Sequence, residues 1–227
     1  MPRIALVLNH PVSLQAWLFH HPRATEGAPA DDPWLSPAER ARVLRLRFQR
    51  DRVRYVHRRR ALRAVLGERL GLPGPAVPLR LGLHDKPELD TAALAAPAPH
   101  FNMSHHEDHS LVVLCDEAEV GVDIEGERGW PDIDALAAMN FTPAEIAGYQ
   151  ALQGAQRESA FLRVWTRKEA CLKAVGTGLA IDLKALHAGL ETDTREVPVP
   201  TDAGTLPVLL SSHTAPGGLL VAVATRC

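Results

Sequence analysis

From Ser36 onward, Leu44, Phe48, Tyr55, Leu62 and Leu66 recur at helical spacing, with arginines filling the positions between them. Ser36-Pro37-Ala38-Glu39 supplies an N-cap, a proline at the first helical position and a capping-box glutamate. The pattern predicts one long or two consecutive helices over residues 37–70, stopped by Gly71 and Pro73-Gly74-Pro75. The same signature returns at Thr142-Pro143-Ala144-Glu145 and opens another helix. Residues 155–175 carry the longest helical pattern of the second half, closed by Gly176-Thr177-Gly178.

Short apolar runs mark strands: Arg3 to Leu8, Leu111 to Cys115, Val120 to Ile124 and Leu219 to Val223. Asp116 to Glu119 is expected to join the second and third of these as a hairpin. Thr91 to Pro99, rich in alanine and proline, reads as a linker or loop. The mixture indicates an α/β protein, either one large domain or two small lobes.

Among the 227 residues, 46% are hydrophobic and 23% charged, an ordinary globular balance. No apolar run approaches the ~18 residues of a membrane span, and Ile4 to Leu8 is too short for a signal core. Three cysteines, Cys115, Cys171 and Cys227, lie far apart without metal-ligand spacing, so a reducing cytoplasm is expected. The net charge of -2 hides an arginine-crowded segment from Arg40 to Arg63. Such a patch suits a polyanion, yet a nearly neutral chain without interleaved stacking aromatics is a poor nucleic-acid coat.

The chemistry concentrates elsewhere. Asp123 and Glu125 are two apart on a strand, so both side chains leave one face while Val122 and Ile124 occupy the other. Two carboxylates aimed at one point call for a cation, and hard oxygen ligands without nearby His or Cys suit magnesium. A solvated strand face bearing two surface acids is the plain alternative. Trp165, Glu169, Leu172, Lys173 and Gly176 fall on one helical stripe, which makes Glu169 and Lys173 neighbours. Alone, that pair would read as an ordinary surface ion pair. His105, His106 and His109 cluster too, but their spacing fits no zinc pattern.

Three segments in order carry a resemblance. WTRKEACLKAVGTGL, GVDIE and FNMSHH resemble the W-[ST]-x-K-E-[AS]-x-x-K, G-[IV]-D-[IV]-E and F-N-[IL]-S-H-[ST] motifs of 4'-phosphopantetheinyl transferases. The length is similar to that of the surfactin-synthetase-activator type, which implies two similar α/β lobes forming an intramolecular pseudo-dimer. The expected lobes are residues 1–115 and 116–227, in a monomer. The implied activity moves phosphopantetheine from coenzyme A to a serine of an apo acyl or peptidyl carrier, with Mg2+.

By that resemblance Asp123, Glu125 and Glu169 would bind the metal, and Lys173 and Lys168 the pyrophosphate. Ser104, His105, Lys86, Arg54 and Arg59 would hold the 3'-phosphate end of the nucleotide. Glu145, or else a metal-bound hydroxide, would be the general base. Arg42, Arg45 and Arg50 would meet the acidic face of the carrier. Two positions depart from the pattern: His106 replaces the usual serine, and Asp85 replaces the glycine before Lys86-Pro87. The rival readings are a magnesium-dependent phosphodiesterase acting on coenzyme A or nucleic acid, and a non-enzymatic nucleic-acid-binding module.

Overall fold

Two four-stranded antiparallel sheets, each backed by one 22-residue helix, frame the protein. The computed structural model describes residues 3–21, 31–82, 86–94, 97–127, 129–177 and 181–227. Asp85 and Gly178, singled out above, lie outside those residues, as does part of the stretch from Thr91 to Pro99.

The strands are β1 (Arg3–Leu6), β2 (Gln15–His20), β3 (Leu79–Leu81), β4 (Pro87–Leu89), β5 (His100–His106), β6 (His109–Cys115), β7 (Val120–Glu125), β8 (Arg195–Thr201), β9 (Gly204–Ala215) and β10 (Leu219–Arg226). The helices are α1 (Pro37–Arg45), α2 (Gln49–Leu70), α3 (Ile133–Asn140), α4 (Pro143–Gln150) and α5 (Gly154–Val175). The first sheet runs β1-β2-β6-β5 and the second β7-β10-β9-β8, while β3 and β4 form a separate ribbon.

Alternation along the strands explains how the layers stack. Val112 and Leu114 of β6 turn with Phe19 toward Leu62, Val65 and Leu66 of α2. Leu111 and Val113 turn the other way with Ala16 and Leu18, and meet Val122, Ile124, Val221 and Val223 of the second sheet. The far face of that sheet, with Val197, Val199, Val208, Leu210 and Ala222, takes Ala170, Leu172 and Ala174 of α5. The order is helix, sheet, sheet, helix. Strands buried on both faces read as unbroken apolar runs, as β6 does.

Two expectations are corrected. Leu111–Cys115 and Val120–Ile124 are not a hairpin. Strand β6 already has β2 on one edge and β5 on the other, so β7 crosses into the second sheet and pairs with β10. The supposed stripe from Leu44 to Leu66 is also broken. The helix ends at Arg45 and restarts at Gln49, which resets its phase and leaves Leu44 and Phe48 at 63% and 50% exposure. The residues that α2 buries are Val53, Val56, Leu62, Val65 and Leu66. Both capping boxes form as expected, at Ser36 with Glu39 and at Thr142 with Glu145.

Candidate active site

The site begins at a glycine. A Cβ on Gly121 would lie 2.1 Å from the carbonyl oxygen of Ala170 and 2.3 Å from the nitrogen of Ala174. Without it, β7 and α5 touch backbone to backbone. The next two residues on that strand face, Asp123 and Glu125, are thereby brought opposite Glu169 and Lys173 of α5.

Strand β5 runs beside β7 without joining its sheet, and side chains bridge the seam. Asn102 Oδ1 accepts from the backbone nitrogen of Val122 at 3.3 Å. Ser104 Oγ donates to Asp123 Oδ1 at 2.7 Å. His106 Nδ1 lies 2.6 Å from Glu125 Oε2, with both side chains largely buried. Lys173 Nζ donates to Asp123 Oδ1 at 2.6 Å, to the Val122 carbonyl at 3.1 Å and to Ser104 Oγ at 3.2 Å. The other oxygen, Asp123 Oδ2, is buried with no hydrogen-bond partner among the described residues. Burial pushes the Glu169 carboxyl above the ordinary range. Lys173 opposes that shift, and the charges of Asp123 and Glu125 add to it.

These groups line one end of a cavity of about 780 Å³. Its other end carries Arg58, Arg59, Lys86, His105 and Tyr55, and Trp130 and Trp165 form a wall with their ring centroids 6.5 Å apart. Enclosure between the cavity walls, and after it the cations Arg58, Lys173 and Arg54, push the His105 imidazole down to about 3, although the residue itself is open to solvent. The carboxylates Asp123, Glu125 and Glu169 thus gather around Lys173 on β7 and α5, while the cations Arg58, Arg59 and Lys86 share the rest of the lining with Glu88. That distribution suits a long anion bound through a divalent cation at the acidic end.

Asp123, Glu125, Glu169, Lys173, Ser104, His105, Lys86 and Arg59 all meet at this cavity. Three expected site residues do not line it. Arg54 Nε donates to Asp108 Oδ1 at 2.8 Å, on the turn between β5 and β6. Lys168 is fully buried, and its Nζ donates to the carbonyls of Asn140, Leu183 and Leu186 and pairs with Glu145 Oε2 at 2.8 Å. Glu145, 0% exposed, accepts from Ala188 N and Gly189 N at Oε1 and from Thr142 N at Oε2, beside the Lys168 ammonium. A carboxylate offers about four lone-pair sites, and all of these are taken. Burial raises the Glu145 value, but the Lys168 hydrogen bond and charge with the backbone donors bring it below the ordinary carboxylate range. The carboxylate is closed off from the cavity and its acceptor sites are filled from within the chain.

Arg58, Trp130 and the His106–Glu125 pair went unread in the sequence. Arg58 is one arginine in a run of many. Only the departure of His106 from the motif's serine pointed to the pair.

Among the described residues, no group of three or more His, Cys, Asp or Glu side chains is arranged to hold a metal ion. The orphaned buried Asp123 Oδ2, with Glu125 and Glu169 lining the same cavity end, nevertheless fits a hard cation that keeps waters and takes substrate phosphate oxygens to complete its shell. The donor set and magnesium are compatible.

Comparison with known proteins agrees with this geometry. Residues 119–221 match the family model described as the 4'-phosphopantetheinyl transferase superfamily, a span that includes β7 and α5. The chain is 35% identical over 146 residues to the 4'-phosphopantetheinyl transferase HetI of Nostoc, covering 64% of this chain and 61% of that protein. It is 33% identical over 164 residues to the 4'-phosphopantetheinyl transferase psf-1 of Bacillus pumilus, covering 71% and 66%. It is 27% identical over 163 residues to the human L-aminoadipate-semialdehyde dehydrogenase-phosphopantetheinyl transferase, covering 69% and 53%. The alignments thus span less than two-thirds of the relatives' own length. With its carboxylates on β7 and α5, its lysine between them and these relatives, the chain belongs to the 4'-phosphopantetheinyl transferase superfamily.

Proposed function

We propose that the protein transfers the 4'-phosphopantetheine group of coenzyme A to a serine of an apo acyl or peptidyl carrier protein. The observation that carries this reading is the seam between β5 and β7. There Asp123, Glu125, Glu169 and Lys173 converge, in a cavity that is also lined by the cations Arg58, Arg59 and Lys86. In the reaction the serine oxygen bonds to the β-phosphorus of coenzyme A and the bond to the bridging oxygen breaks. The serine proton is lost, and adenosine 3',5'-bisphosphate leaves.

Each group has work that follows from its position. Magnesium, held by Asp123, Glu125 and Glu169, would neutralise charge growing on the leaving oxygen. Ser104 fixes Asp123 Oδ1 by its hydrogen bond and leaves Oδ2 as the oxygen that would be offered to the cation. Lys173 brings a positive charge to the pyrophosphate without a metal. Arg59, Arg58, Lys86 and His105, which line the same cavity, would take the 3'-phosphate end, since a guanidinium fork suits a phosphate monoester. Glu145 and Lys168 take no part in the chemistry and hold α4 to α5. Arg54 acts on the nucleotide only indirectly, by tying α2 to the β5–β6 turn.

The first sheet and α2 come from residues before 116, and the second sheet and α5 from residues after it. We read these as two lobes, 1–115 and 116–227, in a monomer whose inter-lobe seam is the site. Unpaired Cys115, Cys171 and Cys227 suit a reducing cytoplasm. Among the described residues no helix is long and apolar enough to cross a membrane.

The test is to follow adenosine 3',5'-bisphosphate release from coenzyme A with and without an apo carrier protein. Release only when the carrier is present is the expected result. Equal release in its absence would make the protein a phosphodiesterase, a reading to which none of the relatives named above lends support.

A further inference from the structure

The two long helices carry equivalent buckles at their starts, and the difference between them is informative. Helices α2 and α5 each have 22 residues and each ends on a left-handed glycine, Gly71 and Gly176. Each is preceded by a short helix whose capping box ends in a buried glutamate, Glu39 in α1 and Glu145 in α4. Each glutamate pairs with a cation on the long helix. For Glu39 this is Arg63, fourteen residues on from Gln49, and for Glu145 it is Lys168, fourteen on from Gly154. Both cations also donate to backbone carbonyls, Arg63 to Val77 and Lys168 to Asn140, Leu183 and Leu186. The buckle is a packing device present once in each half of the chain.

In the second half the remaining oxygen of the glutamate closes the buckle: Glu145 Oε1 accepts from Ala188 N and Gly189 N. In the first half it does something else. Glu39 Oε2 takes the Ser36 nitrogen at 2.8 Å and Arg63 at 2.9 Å, and Oε1 lies 3.4 Å from Arg59 Nε. The residue at the equivalent place in α5 is Val164, ten on from Gly154 as Arg59 is ten on from Gln49. Arg59 is 5% exposed, lies over the Tyr55 ring at 5.0 Å and lines the cavity, and its Nη1 is buried with no partner. A guanidinium gripped at Nε, stacked on one face and left with an empty donor is arranged for an anion.

We propose that Glu39 is a positioning residue for the 3'-phosphate of coenzyme A, acting through Arg59. The proposal rests on the transferase reading above. Glu39 touches no substrate. It fixes the guanidinium so that the unpartnered edge faces the phosphate monoester, and so sets the preference for coenzyme A over its 3'-dephospho form. The pyrophosphate end, 3'-independent, does not feel it.

Equilibrium binding and KM for coenzyme A and for 3'-dephospho-coenzyme A test this. Glu39→Gln keeps an acceptor for the capping box but strips the counter-charge from buried Arg63 as well as from Arg59, so urea unfolding first establishes how much of the variant is folded, and binding is read on the folded protein. Affinity for coenzyme A should fall about tenfold, with 3'-dephospho-coenzyme A and kcat unchanged. Arg59→Lys, whose compact ammonium cannot hold Glu39 and the phosphate together, should remove the same preference. Adding Glu39→Gln to it should cost nothing more. The proposal is overturned if Glu39→Gln leaves the ratio of the two affinities unchanged, weakens both ligands equally, or adds fully to Arg59→Lys. If Glu39→Gln does not fold, the ratio in Arg59→Lys alone decides: an unchanged preference overturns it. Wild-type protein that binds neither nucleotide would instead remove the transferase reading beneath it.

Discussion

Lys173 Nζ donates to Asp123 Oδ1 at 2.6 Å while Oδ2 of the same carboxylate is buried with no partner. One oxygen is neutralised by the chain itself, and the other waits for a cation. On the proposed reading Lys173 would do two opposed things: stabilise the Asp123 carboxylate before substrate arrives, and compete with the metal for it. Lys173→Ala should lower the transfer rate by about 10²- to 10³-fold, as loss of an oriented charge donor typically does. In the absence of coenzyme A it should bind Mn2+, read by electron paramagnetic resonance, more tightly than the wild type. Unchanged metal affinity would show that the lysine and the cation do not share Asp123.

The Glu145–Lys168 pair is a matter of stability. Glu145→Gln leaves the buried ammonium of Lys168 without a counter-charge, at a cost of ~3 to 5 kcal/mol. Urea unfolding should show that loss, and the protein that remains folded should keep a kcat within about threefold of wild type. The double variant Glu145→Leu with Lys168→Met should recover most of the stability. A stable Glu145→Gln protein with kcat lowered ~10²-fold or more would restore the residue as general base.

Gly121 allows the close approach of β7 to α5, so Gly121→Ala should force the backbone of Ala170 and Ala174 outward. The expected cost is ~1 to 3 kcal/mol in unfolding, together with a larger loss of activity than of stability, because Glu169 and Lys173 ride on the displaced helix. Full activity in a protein of unchanged stability would contradict the contact.

One buried histidine, His21, and one half-buried histidine, His10, act on acid stability. Burial, and after it His57, Arg58 and nearby histidines, push His21 down to about 3, while burial and then His213 push His10 down to about 4. An imidazole whose folded value lies below 6.5 binds fewer protons folded than unfolded. Stability should therefore rise with pH from about 3 to 6.5 and level off above. Thermal unfolding from pH 4 to 8 reads this. His21→Phe should flatten the slope even though it loses the 2.7 Å contact with Ser110.

Local signals were legible in the sequence wherever a residue's role depends on its near neighbours. Both capping boxes, the shared face of Asp123 and Glu125, and the Glu169–Lys173 pair follow from periodicity alone. What failed to show is set by distant parts of the chain. Strand β6 is apolar throughout because it is covered on both faces, and nothing local says that β2 and β5 occupy its edges. Glu145 and Lys168 sit inside motifs whose other members face the cavity. Lys168 is turned inward by the carbonyls of Asn140, Leu183 and Leu186, and Glu145 by the amides of Ala188 and Gly189, partners that no spacing rule reaches. Arg59 was singled out only by the resemblance and Arg58 was hidden among arginines of equal appearance; the fold is what separates these two, which line the cavity, from the rest.

The most direct measurement is the intact mass of an apo carrier protein incubated with this protein, coenzyme A and magnesium. The account predicts a gain of one phosphopantetheine group, abolished by chelator and by Glu169→Ala, and retained at near wild-type rate in folded Glu145→Gln. A full gain that survives both chelator and Glu169→Ala would contradict it, because the carboxylate end of the cavity would then have no part in the transfer.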